Sequence, residues 1–285
     1  MVKRCAIYVY WDAEGVLKSF ARHFLLELSK VCQDIMVVIN GNLDDESVEF
    51  LVGIGCRFIK RANIGYDFGA YRAGLLHIGW EKLQYYDEVV LCNSSFYGPF
   101  YPLNSIFEAI DGSIDFWGIT AWIGEPWATH IQSYFYVFRR QIINSDEFRR
   151  YWNGMLLPKD RAEAIEKCET RLTEHFAMHG FTWTTLLPNN TGGDVSILCA
   201  RDLLDQKLPF LKRKYFEETS ISKAEKIDVL NLLSSCYDLN RIYEDGFYKC
   251  CLNNRGNNKF SLKHRIKKFL PTWVIRYYRM LKHIV

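Results

Sequence analysis

The chain has 285 residues, of which 49% are hydrophobic, 15% aromatic and 24% charged, a composition that excludes wholesale disorder and suffices for one sizeable α/β core with an appendage. The formal net charge of +3 hides an asymmetry, because residues 259–285 hold eight Lys and Arg and no acid, so that this stretch is +8 and the rest −5. A mildly acidic body with a basic tail argues against broad nucleic-acid binding and points to a local interaction.

Residues 5–10 (CAIYVY) are rich in β-branched and aromatic side chains and predict a buried strand. Over residues 16–32, Val16, Phe20, Phe24, Leu28 and Val31 recur at helical spacing. Residues 34–39 (DIMVVI) predict a second strand, stopped by the turn sequence Asn40-Gly41-Asn42. A short helix over 44–52, a third strand over 57–60, a helix over 67–78 and a fourth strand over 88–92 follow. This alternation predicts a mostly parallel sheet covered by helices on both faces. Ligands bind beyond the carboxyl ends of such strands. The segments at those ends hold Trp11 and Asp12, then Asn40, then Asn63, Gly65, Tyr66 and Asp67, then Asn93, Ser94 and Ser95.

After residue 100 the pattern changes. Strands are expected over 115–122 and 131–138, and helices over 146–155 and 161–179, with Gly180 as the C-terminal cap. Residues 187–193 predict a loop, 223–235 a helix and 253–258 (NNRGNN) a linker. No apolar run reaches eighteen residues, so no transmembrane helix is expected, and residues 1–11 lack the form of a secretory signal. The nine cysteines contain no C-x-x-C pair, and Cys250-Cys251 is a poor geometry for zinc. Free thiols in a reducing cytoplasm are the simplest reading.

Residues 62–75 (ANIGYDFGAYRAGL) are the strongest local signal. Asp67 at a helix start serves as a structural N-cap or as part of a ligand site, since glycine allows close backbone approach and helix N-termini favour anions. Asn93, Ser94 and Ser95 form either a polar turn or a set of sugar and diphosphate contacts. Residues 63–71 and 93–99 resemble the hallmark motifs of the rhamnan synthesis F family, as do His130-Ile131-Gln132-Ser133-Tyr134-Phe135 and residues 208–213. The resemblance spans roughly the first 220 residues, with four motifs in matching order.

That resemblance implies a GT-A-like, Rossmann-like α/β fold and a glycosyltransferase using a nucleotide-activated sugar. The implied donor is dTDP-L-rhamnose, and the implied acceptor is a lipid-linked bacterial surface glycan such as O-antigen or rhamnan. Residues 1–100 would then form the nucleotide-sugar half, 101–220 the acceptor and catalytic half of the same domain, and 221–285 a helical extension. Where the family commonly shows Asn-Asp-Ser, Ser94 replaces the acid, and serine is a poor ligand for hard Mg2+ or Mn2+. No required cofactor and no metal ligand is therefore expected, and Lys212, Arg213 and His130 become the cations available to a leaving diphosphate. The run Lys212-Arg213-Lys214 also fits a solvated basic turn.

Inverting GT-A enzymes open a helix with an acidic pair. Residues 168–181 resemble that stretch, and the resemblance implies Glu169 in the place of the catalytic base and Cys168 in that of its partner acid. The plain alternative is an exposed helix glutamate paired with Arg171 or Thr173. Among the aromatics, Tyr66 and Trp127 are expected beside the site. Residues 259–285 mix basic and apolar side chains around Pro271, suiting an anionic lipid surface at the inner face of the cytoplasmic membrane. The rival to an enzyme is a non-catalytic sugar-nucleotide or carbohydrate-binding scaffold that lost its acid at position 94.

Overall fold

The computed structural model describes residues 2–188 and 192–246. The expected linker and the basic tail lie outside the described residues. Contacts divide the chain into a unit Met1–Cys251 and a second unit Leu252–Val285.

The eleven strands among the described residues are β1 Arg4–Tyr10, β2 Asp34–Asn40, β3 Arg57–Arg61, β4 Glu88–Asn93, β5 Phe96–Tyr97, β6 Phe116–Gly118, β7 Ala121–Trp122, β8 His130–Ile131, β9 Phe135–Arg139, β10 Trp183–Thr185 and β11 Leu211–Lys212. Seven of them make one sheet in the order β10-β6-β9-β4-β1-β2-β3. Pairing is parallel across β3, β2, β1 and β4 and between β6 and β10, while β9 runs antiparallel to both neighbours. The expected mostly parallel α/β sheet flanked by helices is present. Strand order reverses between β1 and β4, where β2 lies to one side and β4 to the other. Crevices at such switch points bind ligands.

Side-chain alternation explains why both faces are covered. Ala6, Tyr8 and Tyr10 of β1 enter one core with Val37 and Ile39, packed under α1, Ser19–Ser29, through Phe20, Phe24 and Leu28. Cys5, Ile7 and Val9 enter the other with Met36 and Val38, packed under α2, Tyr66–Ile78, through Phe68, Tyr71 and Leu75. Each such large apolar side chain contributes about 1.5–3 kcal/mol when fully buried. The close α2–sheet approach depends on Gly74, where a Cβ would meet Ile7 Cγ2 at 2.6 Å.

Several elements are shorter than expected. The helix expected from residue 16 starts at Ser19, because Asp12 Oδ1 accepts from the backbone N–H of Glu14 and Val16 and holds those residues in a turn. The strands expected over 115–122 and 131–138 each break in two, forming the separate ribbon β7–β8. The long helix over 161–179 is present, but its middle, Ala164–Glu169, widens into π-helix before Thr170–Met178 resumes α geometry. Gly180 follows at φ +86°. The seven described cysteines are free, five of them buried, and burial pushes the Cys5 thiol up to about 12. Among the described residues, no helix is long and apolar enough to cross a membrane.

Candidate functional site

A cavity of about 250 Å³ opens beyond the carboxyl end of β4. Tyr66, Asp67, Asn93 and Ser95 form one wall; Arg161, Glu169, Asp194, Lys212 and Lys214 contribute to the other, with Ser133 and Tyr134 between them.

The first wall is held from below. Buried Asn40 accepts from Arg61 Nη1 at 2.7 Å, and Arg61 Nη2 donates to the carbonyl of Ile64. This fixes the loop that enters α2. Gly65 sits at φ +78°, where a Cβ would also touch Leu157 Cδ2 at 3.0 Å. Tyr66 follows at φ +52°. A bulky residue in that region stores about 1–3 kcal/mol of strain, of the kind found at ligand sites. The capping residue is thus Gly65, not Asp67. Asp67, inside the first turn, is free to accept from Asn93 Nδ2 at 2.8 Å. Asn93 Oδ1 in turn accepts from the backbone and hydroxyl of Ser95 at 3.1 and 2.6 Å. Burial pushes the Asp67 carboxyl up to about 6; the Asn93 hydrogen bond opposes the rise, the negative charge of Glu169 adds to it, and Arg161 opposes it.

The second wall comes from scattered short elements. Glu169 stands at the end of the π-helical stretch, and such stretches recur at functional sites. Its Oε1 accepts from Ser133 N–H at 2.8 Å, while no described residue hydrogen-bonds its Oε2. Ser133 is itself fixed, since its carbonyl accepts from Tyr71 Oη at 2.9 Å. Asp194 gathers Gln132 Nε2 at 2.8 Å, Ser196 Oγ at 2.6 Å and Lys212 Nζ at 3.4 Å. Burial alone would raise Asp194, but Lys212 and these hydrogen bonds hold it below the usual carboxylate range. The ammonium of Lys214 makes no hydrogen bond or ion pair with a described residue.

Of the residues singled out in the sequence, Tyr66, Asp67, Asn93, Ser95, Glu169 and Lys212 line this cavity. The others lie around it. Trp11 is 53% exposed at the end of β1, and Asp12 caps its own turn. Asn40 and Gly65 act on the loop from behind, and Asn63 is exposed on it. Ser94 is buried, and its carbonyl accepts from Arg213 Nη1 at 3.1 Å. Arg213 also pairs with Asp245 at 2.7 Å. His130 is 2% exposed in the β7–β8 ribbon, with Nδ1 on the carbonyl of Ala128 and its ring stacked on Trp122. Trp127 is not part of the lining. Arg161, Asp194 and Lys214 escaped the sequence reading. Asp194 lies just past the Asn/Gly-rich loop, and Lys214 was grouped with a basic turn.

The three cavity cations could bind a diphosphate. A divalent ion also fits such a place, since Mg2+ is commonly held by one or two carboxylates together with substrate phosphates. Asp67 and Glu169 are the carboxylates facing the cavity with capacity to spare. Among the described residues, the group of three metal-ligating side chains with ligand atoms within 4.8 Å of one another is Glu147, His175 and His179, outside the cavity.

The family model described as rhamnan synthesis protein F matches residues 35–264. Virulence protein VirA of Vibrio anguillarum is 32% identical over 161 residues, which are 55% of this chain and 49% of that protein. The uncharacterized protein y4gN of Sinorhizobium fredii is 27% identical over 187 residues, 64% of this chain and 48% of that protein. The matches thus span about half the length of these relatives. Among solved structures, glucosyl-3-phosphoglycerate synthase from Mycobacterium tuberculosis, in complex with Mn2+ and uridine-diphosphate-glucose, is 14% identical with a TM-score of 0.32, covering 50% of this chain and 57% of that one. The 4-diphosphocytidyl-2C-methyl-D-erythritol synthase of Anaerococcus prevotii is 13% identical with a TM-score of 0.35, covering 58% and 82%.

Proposed function

The chain belongs to the rhamnan synthesis protein F family, and from that membership we propose that it is a glycosyltransferase acting on a nucleotide-activated sugar. The observation that carries this reading is the cavity itself. An unencumbered carboxylate oxygen on Glu169 faces the same space as Arg161, Lys212 and Lys214. Transfer of an activated sugar needs those two things, a base for the incoming hydroxyl and positive charge for the departing diphosphate.

In the proposed reaction the diphosphate lies against the cations, and Asn93, Ser95 and Asp67 orient the sugar by hydrogen bonds. Glu169 Oε2 takes the proton of the acceptor hydroxyl as its oxygen attacks the anomeric carbon. The bond from that carbon to the diphosphate oxygen breaks, and configuration inverts in one displacement. If a divalent ion binds with the donor, it would neutralise phosphate charge, and Asp67 is the carboxylate able to hold it while Glu169 Oε2 stays free as the base. The proposed donor is dTDP-L-rhamnose, and the proposed acceptor a lipid-linked surface glycan. Residues 259–285 would bring the enzyme to the cytoplasmic membrane surface, a role supported by their +8 charge.

The test is incubation of the purified full chain with dTDP-rhamnose or other sugar nucleotides, with and without Mg2+ or Mn2+, and a lipid-linked acceptor. Sugar transfer is expected. Donor binding by calorimetry without transfer or donor hydrolysis would favour the scaffold reading, to which Ser94 lends support. Absence of both binding and turnover with every donor would overturn the proposal.

A further inference from the structure

Away from the cavity, the helices Asp146–Gly154 and Thr170–Met178 pack through Phe148 and Phe176, whose ring centroids lie 5.9 Å apart. At the edge of this contact Glu147, His175 and His179 converge. We propose that these three side chains bind a divalent transition-metal ion of the zinc class, independently of the cavity and of the transferase reading.

The placement follows from helix geometry. Residues 175 and 179 are four apart, so both imidazoles project from one face of the last turns. Glu147 reaches them from the first turn of the other helix. Its Oε1 lies 2.7 Å from His175 Nε2 and 3.6 Å from His179 Nε2. Two imidazole nitrogens with one carboxylate oxygen is a recurrent protein ligand set for Zn2+, with a further position open to water.

Tautomer chemistry distinguishes this group from an ordinary His–Glu pair. His179 Nδ1 lies 2.7 Å from the backbone carbonyl of His175. A carbonyl only accepts, so Nδ1 carries the proton, and in the neutral ring Nε2 presents a lone pair. That lone pair faces a carboxylate oxygen 3.6 Å away, so two acceptors meet without a hydrogen between them. A metal ion between them removes the conflict, as a second ring proton would, and a backbone carbonyl on the other ring nitrogen is the usual outer partner of a metal-ligating histidine. Glu147 is oriented in the same way, because its Oε2 is held by Arg150 at 2.9 Å, leaving Oε1 toward the histidines.

For the two separations to Glu147 the required adjustment is small. A tetrahedral ion with bonds of about 2.0–2.1 Å sets its ligand atoms about 3.3 Å apart. The Glu147–His175 separation would open from 2.7 Å as the ion replaces the shared proton, and the Glu147–His179 separation would close slightly from 3.6 Å. His179 is the most exposed of the three, which gives the ion an entry path. Thr170–Met178 begins immediately after Glu169, so a bound ion would tie the far end of that helix to its neighbour.

The experiment uses the untagged full chain, stripped with chelator and titrated with ZnCl2 by calorimetry at neutral pH, alongside His179→Ala and the double variant His175→Ala/His179→Ala. One saturable equivalent is expected in the parent chain, with affinity falling at least about tenfold in His179→Ala and no saturable site in the double variant. Because His175 packs against Tyr151, His179→Ala is also melted with and without Zn2+: loss of the zinc-induced Tm increase with an unchanged metal-free Tm supports the site. Co2+ substitution reads the ligands directly, and tetrahedral bands without thiolate charge transfer are expected. Unchanged binding in the double variant, no saturable binding in the parent, or a thiolate charge-transfer band would each overturn the proposal.

Discussion

The two walls of the cavity are built on different principles. Tyr66, Asp67, Asn93 and Ser95 stand where parallel strands give way to loops, and hydrogen bonds tie Asp67 and Ser95 to Asn93 at the end of β4. Arg161, Glu169, Asp194, Lys212 and Lys214 come from short elements spread over residues 161 to 214, and most of them carry charge into the cavity. Topology prescribes the first wall, whereas tertiary packing assembles the second. On the proposed reading the first wall positions the sugar and the second supplies the proton and charge chemistry, so substitutions on the two should fail differently.

The largest effect is expected on the second wall. Glu169→Gln keeps an oxygen for the Ser133 N–H yet cannot take a proton, so turnover should fall by about 10²–10⁴-fold while the chain still folds. Donor affinity should stay within about twofold by calorimetry, because uniform binding does not require the base. Retained turnover would remove Glu169 from the mechanism and with it the assignment of chemistry to this wall.

On the first wall the largest effect should be on folding. A Cβ at Gly69 would overlap the carbonyl oxygen of Ile64, a backbone atom that cannot swing aside as a side-chain tip can. Gly69→Ala should therefore cost about 3 kcal/mol, the upper end for overpacking, read as a lower denaturant midpoint at unchanged m-value. A neutral substitution would mean that the loop from residue 63 to 65 is adjustable and does not set the cavity.

The same wall holds Asp67, whose elevated carboxyl pKa makes a signed prediction about pH. The folded form binds the proton more tightly than the unfolded chain, so this group's contribution is complete below about pH 4 and is lost as pH rises through about 6. A rise from 3.8 to about 6 corresponds to at most about 3 kcal/mol. Asp67→Asn, which cannot ionise, should gain about 1–3 kcal/mol at pH 8 and almost nothing at pH 3.5, checked by urea unfolding at both. Equal effects at the two values would mean that Asp67 does not titrate in this range.

The contrast also explains what the sequence could and could not reveal. Alternating strand and helix patterns made the sheet legible, and with it the strand ends that include Asp67 and Asn93. Asn40 belongs to that set by position, but its amide turns back to Arg61, an orientation that no pattern along the chain encodes. Glu169 was found through family spacing, since neither its π-helical setting nor its bond to Ser133 leaves a periodic trace. Arg161 and Asp194 join the cavity only through long-range packing. His130 and Arg213 were expected as diphosphate cations, but the structure gives them to the Ala128 carbonyl and to Asp245.

The smallest effect separates two neighbouring lysines. Lys212 is half-committed, since it neutralises Asp194 and lies 5.2 Å from the centre of the Tyr134 ring. Removing it leaves the half-buried Asp194 carboxylate without its cation, so Lys212→Ala should lower stability as well as donor affinity. Lys214 is exposed and makes no ion pair or hydrogen bond through its ammonium among the described residues, yet it lines the same cavity. Lys214→Ala should leave stability within about 0.5 kcal/mol, as surface substitutions do. It should weaken donor binding several-fold at low salt and progressively less as salt screens the diphosphate. If both variants instead lost stability equally and neither changed donor affinity, the positive charge of this wall would be structural, and the diphosphate would have to bind elsewhere.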